Sequence, residues 1–135
     1  MTLNRPLSPH LSIYKKVLTA VFSIFHRFTG ICLSVGAVLL SFWTILIALG
    51  PNYYSKFQTL SSLIVFKIFL FIWTLTIFYH LYNGIRYLFW SYGKMMNLSI
   101  VYKSSYAVIV LSILSTLLVW ISIWKTMWIN GFYSE

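Results

Sequence analysis

Three apolar runs constrain this chain more than any other feature. They extend from about Phe28 to Leu49, Leu63 to Trp90 and Tyr106 to Trp124, and each is close to the roughly 20 residues a helix needs to cross a bilayer. Runs of that length and apolarity leave lipid as the surroundings. Lipid offers the backbone no hydrogen bonds, so each run is predicted to be an α-helix. The expected fold is all-α: an integral membrane protein with three transmembrane helices in an up-down-up bundle, a single anchor domain over residues 1–135. Charged residues make up 8% of the chain, against about a quarter in a soluble domain, so no soluble domain is left over.

An N-terminal arm, residues 1–22, precedes the first run. It carries Pro6 and Pro9 and no apolar stretch, and it lacks the several arginines of a transit peptide. It reads as neither a secretory signal nor a presequence, and the chain is expected to reach its membrane without a cleaved address. The net charge is +9 and Glu135 is the only acid. The basic residues are scattered rather than gathered into a face, so no nucleic acid partner is expected. They do divide by side. The arm, its entry into the first span and the loop after the second hold Arg5, Lys15, Lys16, Arg27, Arg86, Lys94 and Lys103, whereas Lys56, Lys67 and Lys125 fall opposite. Basic loops stay on the inner side, so the N-terminus is expected to face the matrix or cytoplasm.

Ionisable groups inside a span are costly, and each calls for a partner. In the stretch SIFHRFTG, Ser23 and Arg27 are four apart and share a helical face, with His26 and Gly30 on the neighbouring one. One reading is snorkelling, in which Arg27 reaches lipid phosphates and His26 marks the boundary. The other is a site for an oxygen-rich ligand with an apolar body. A quinone fits, because a cation and a hydroxyl stabilise the charge its oxygen gains on reduction. The second cluster is FYHLYNGIRYLFW. His80 lies about ten residues inside the end of its span, roughly 15 Å from the interface, with Gly84 one turn on and Tyr87 at the next. A histidine beside a missing side chain suits a flat iron-bearing macrocycle. It equally suits a histidine bonded to a neighbouring helix, with Gly84 a packing notch. Arg86 nearer the basic side either pairs with a propionate or snorkels. Lys67 reads as snorkelling, Cys32 as a small buried hydrophobe, and Gly30, Ser34 and Ala37 or Val38 as a close helix contact. His10 is assigned no chemistry.

These residues also carry a resemblance. Arg5 and Pro6, then Ser23, His26, Arg27, Thr29 and Gly30, reproduce Arg-Pro followed after a spacer by Ser-x-x-His-Arg-x-Ser/Thr-Gly. That pattern resembles the N-terminal signature of the cytochrome b subunits of succinate dehydrogenase, the large membrane anchors of respiratory complex II. The family's second motif, His-x-x-x-Gly-x-Arg-His followed by an aromatic and Asp, is matched at His80, Gly84 and Arg86. The chain departs from it at Tyr87, usually His, and at Ser91, usually Asp. The likeness covers essentially the whole chain.

The resemblance implies a subunit that pairs with a second small anchor. Together they hold an iron–sulfur subunit and a flavoprotein subunit, and electrons from succinate pass to ubiquinone. His80 takes the place of the axial ligand of a haem b, whose second ligand comes from the partner anchor, and Gly84 that of the glycine packed on the ring. Ser23 and Arg27 match the ubiquinone-contacting residues. His26, Arg86 and Tyr87 fall in the vicinity of the haem propionates. Tyr87 cannot supply the charge of the usual histidine, which is expected to lower the haem potential. Nothing explains Ser91. The chain alone has no catalytic constellation. The mitochondrial inner membrane is the expected location, or a bacterial inner membrane. Two alternatives stand beside this reading: a fumarate reductase anchor, and a small channel or transporter subunit with Arg27, Lys67, His80 and Arg86 lining a polar path.

Overall fold

The computed structural model describes residues 17–132, with side chains described to residue 126. Arg5, Pro6, His10, Lys15 and Lys16, most of the arm, the Trp128 side chain and Glu135 lie outside the described residues. The described residues are helical and contain no strand. α1 spans Leu18–Ala48, α2 Pro51–Ser61, α3 Ile64–Ser91 and α4 Leu98–Phe132. α1, α3 and α4 are each long and apolar enough to cross a membrane.

The helices overrun the apolar stretches. α1 begins at Leu18, inside the segment expected to be arm, and α4 begins at Leu98, eight residues before Tyr106, so Lys103 lies in a helix rather than a loop. Helix length follows backbone hydrogen bonding, which continues past the hydrocarbon edge, whereas apolarity stops there. The short α2 was not anticipated. Gly50 takes φ 107 and Pro51 occupies the first helical turn, so the pair that ends α1 also starts α2. α3 stops in a glycine-dependent turn. Gly93, at φ 69, lets its own N–H reach the carbonyl of Trp90 at 2.9 Å and the Lys94 N–H that of Phe89 at 3.0 Å. Asn97 then opens α4, its side-chain oxygen accepting from the Ser99 N–H at 3.1 Å.

Side-chain pairs fix the topology. The Phe22 carbonyl meets Asn83, Gly30 meets His80 and Gly36 meets Trp73. Numbers rise on α1 as they fall on α3, so the two are antiparallel. Arg86 with Val101 and Trp120 with Thr74 give the same sense for α3 and α4. The packing is inverted relative to a soluble protein. The best-buried residues are Asn83, Ser105, Ser112, Thr116 and Arg86, while Ile31, Val65 and Leu118 stand exposed. α4 turns one stripe inward, Val101, Ser105, Val108, Ser112 and Thr116. Its hydroxyls are satisfied on the helix's own carbonyls, as Ser105 on Val101 at 2.8 Å. Small residues let α3 approach closely, the usual contact where lipid supplies no hydrophobic drive between helices. The expected small-residue face of α1 is only partly used. Gly30 packs, but Ser34, Ala37 and Val38 are exposed, and the second notch is Gly36 beneath the Trp73 indole.

Candidate functional site

The two helices carry the same four-residue pattern in opposite directions: His26 to Gly30 on α1 and His80 to Gly84 on α3. Antiparallel packing sets each histidine over the other's glycine. A β-carbon on Gly30 would stand 3.3 Å from Cε1 of His80, and one on Gly84 3.7 Å from Cε1 of His26. The backbone of His80 is about one turn, ~5 Å, deeper than that of His26. The rings nevertheless stack, with centroids 4.0 Å apart and planes 13° from parallel. The Tyr87 ring lies 5.1 Å from His26 at 55°.

Thr29 holds the pair. Its Oγ1 lies 2.8 Å from the carbonyl oxygen of His26 and 3.1 Å from Nδ1 of His80. Along the chain of rings from His26 through Tyr87 to Trp90, polar atoms are buried without a partner among the described residues: Nδ1 of His26, the hydroxyl of Tyr87 and Nε1 of Trp90. Such orphans are rare in a finished interior and mark places where something further is bound.

Arg86 is not at the lipid surface. It is only 3% exposed. Nε donates to Ser104 Oγ at 3.1 Å, one terminal nitrogen to Asn83 Oδ1 at 3.3 Å and the other to the carbonyl of Val101 at 3.3 Å. Its guanidinium carbon sits 4.2 Å from the Trp90 ring centroid and 5.3 Å from that of Phe22. Neutral acceptors and aromatic faces thus hold a desolvated cation. Asn83 and Tyr79 extend the network to α1 through the Phe22 carbonyl, at 3.5 and 3.3 Å.

The predicted residues therefore fall into three groups. His26, His80, Gly30 and Gly84 come together, with Tyr87 alongside. Arg86 is adjacent but turned into the α3–α4 seam. Ser23 and Arg27 remain on α1, Ser23 half-buried and Arg27 exposed. The bonds tying α1 to α3 come from Thr29 and the Phe22 carbonyl instead. Lys67 is exposed and Cys32 half-buried. Thr29, as a contact of His80, and Asn83 were missed. An amide in an apolar run is itself a signal, since it must find partners, whereas the Thr29 contact joins residues 51 positions apart and has no local trace.

Among the described residues no three His, Cys, Asp or Glu side chains gather as a metal site. What the cluster offers is one imidazole with its Nδ1 engaged and orphaned polar atoms nearby, the two glycine notches being taken by the histidine rings. That donor set fits a haem. Two cavities among the described residues are mainly apolar. The larger, about 470 Å³, lies among α1, α2 and α3 around Trp43, Phe57 and Trp73, and a smaller one of about 230 Å³ lies beside Thr29, Tyr79 and Ser112.

The chain is similar to known proteins over most of its length. Residues 1–119 match the family model described as succinate dehydrogenase/fumarate reductase transmembrane subunit. The succinate dehydrogenase cytochrome b556 subunit of Rickettsia bellii (strain RML369-C) is 38% identical over 118 residues, covering 87% of this chain and 92% of that one. The cytochrome b560 subunit of Reclinomonas americana is 39% identical over 129 residues, 90% and 88% of the two chains. The mitochondrial cytochrome b560 subunit of Bos taurus is 40% identical over 119 residues, 85% and 69%.

Proposed function

Because the chain belongs to the succinate dehydrogenase/fumarate reductase transmembrane subunit family, and so is a membrane anchor of complex II, we propose that it helps bind haem b and ubiquinone and lets electrons from succinate enter the quinone pool. Its partners in this reading are a second small anchor, an iron–sulfur subunit and a flavoprotein subunit. The N-terminus faces the matrix, or the cytoplasm in a bacterial inner membrane, where the basic residues concentrate.

The observation that carries the proposal is the stacked His26–His80 pair beside a helical face bearing Ser23 and the exposed Arg27. Arg27 is free to meet a ligand at the headgroup boundary. Its fixed positive charge stabilises a quinone oxygen that becomes negative on reduction, and Ser23 on the same face donates a hydrogen bond that orients the ring. His80 would hold the haem iron through its imidazole, while Gly84 gives the neighbouring His26 ring its place. His26 and Tyr87 offer donors to the propionates, and Arg86 adds a nearby positive charge from within its network. When bound, the haem supplies a one-electron reservoir near the quinone.

The names of the matched relatives favour succinate oxidation over fumarate reduction as the direction. A channel is disfavoured because Arg86 is locked against Asn83, Ser104 and Val101 rather than lining a wet path. Replacing Arg27 with Leu in the intact complex should cut quinone reduction while succinate oxidation by a soluble dye continues. Loss of both activities together, or of neither, would remove Arg27 from this role.

A further inference from the structure

The Thr29 hydroxyl has one proton and two neighbours. The carbonyl of His26, 2.8 Å away, is only an acceptor, and two oxygens at that distance with no proton between them would repel. The proton therefore lies on the carbonyl contact. Toward Nδ1 of His80, at 3.1 Å, the hydroxyl can then only accept. A neutral imidazole that donates from Nδ1 keeps its lone pair on Nε2. Thr29 is buried, and the ring lies over Gly30 beside it, where there is no room for a side chain, and stacks on His26, so it is restrained in position as well as in tautomer.

We infer that Thr29 is a positioning residue for the haem ligand: it fixes His80 in the Nδ1–H tautomer, aims Nε2 at the iron and raises the basicity of the ring. The inference rests on the haem reading above. An acceptor on the far nitrogen of a metal-bound histidine makes it a stronger donor, and loss of such a contact typically weakens metal binding ~10–100-fold. A more basic ligand favours the ferric state, so losing the acceptor raises the reduction potential.

The test uses the whole purified complex as wild type, Thr29→Val and Thr29→Ser. Each is measured for haem per flavin, for the low-spin ferric EPR signal, for haem potential by redox titration and for haem transfer to apomyoglobin in detergent. Thr29→Val should assemble with a displaced largest g value and a higher haem potential, and should give up haem roughly ten-fold faster or more. Thr29→Ser, which keeps the hydroxyl, should behave as wild type. An assembled Thr29→Val complex that lacks haem, with Thr29→Ser retaining it, counts the same way. If Thr29→Val keeps the wild-type potential and EPR signal, or if Thr29→Ser is as defective as Thr29→Val, the hydroxyl has no such role although the haem reading survives. If the wild-type complex itself has no b-type spectrum, the haem reading fails and takes this inference with it. Should Thr29→Val not assemble, Thr29→Ala removes the hydroxyl without adding bulk and carries the same comparisons.

Discussion

Gly30 on α1 and His80 on α3 meet as notch and ring, with only 3.3 Å between the position of an absent β-carbon and Cε1 of the imidazole. Nothing larger than hydrogen fits at 30 unless the ring gives way. At Gly36 the crowding is worse: a β-carbon there would overlap the Trp73 indole. Alanine recovers about 0.5–1 kcal/mol of helix propensity over glycine, against roughly 1–3 kcal/mol for overpacking. Gly30→Ala should therefore cost the assembled complex about 1 kcal/mol and disturb the reduced haem spectrum. Gly36→Ala should cost more, near the upper end of that range, without touching the spectrum directly. Thermal denaturation in detergent, followed beside the optical spectrum, distinguishes the two. Equal stability loss with equal spectral change would contradict the assignment of the two notches.

Arg86 has three different acceptors in three directions, from Ser104, Asn83 and Val101, and stacks on Trp90. A lysine keeps the charge but cannot reproduce the planar fork. Arg86→Lys is expected to destabilise the α3–α4 pairing by about 2–4 kcal/mol, since hydrogen bonds to charged groups contribute about 1.5–3 kcal/mol each. Arg27→Lys, on an exposed position, should leave the melting temperature unchanged. Similar melting temperatures for both variants would mean that charge alone, not the bonded geometry, is what matters at 86.

The Tyr87 hydroxyl is buried with no partner among the described residues. Removing it costs the fold of this chain nothing by way of hydrogen bonds. Tyr87→Phe should therefore assemble and melt as wild type. If the hydroxyl serves a propionate, its loss exposes more of that negative charge to the iron and lowers the haem potential, whereas Tyr87→His should raise it. A redox titration of the three proteins checks the order, and identical potentials would show that Tyr87 lies away from the cofactor.

Ser112 is 2% exposed and belongs to the inward stripe of α4. Its hydroxyl is satisfied within the helix, 2.6 Å from the Val108 carbonyl, so the position matters for its size. Ser112→Leu is expected to push α3 and α4 apart at a cost of about 1–3 kcal/mol, although leucine is the more lipid-like residue. Ser112→Ala should be nearly silent. A more stable leucine variant would mean that the stripe is not a tight seam.

Much of this was readable before any coordinates. The three runs prescribe helices, because an unpaired backbone in lipid is too costly to permit anything else. His80, Gly84 and His26, Gly30 stand out by spacing. The register that sets His26 on His80 was not readable, since it depends on how far α3 slides along α1. Nor was the fate of Arg86. A cation near a span end reads as snorkelling, and only Ser104 and the Val101 carbonyl, supplied by the next helix, turn it inward. The third apolar run, Tyr106 to Trp124, carried no charge and looked featureless, yet Ser112 and Thr116 within it are among the best-buried side chains.

By itself, then, the sequence determined the number of spans, their helical nature and the residue types available for chemistry, because those follow from the cost of placing polar groups in hydrocarbon. Only the tertiary structure decided which of those groups are spent on holding helices together and which stay available. Helix pairing in lipid turns on close fit between small residues, and fit is a property of two surfaces at one register.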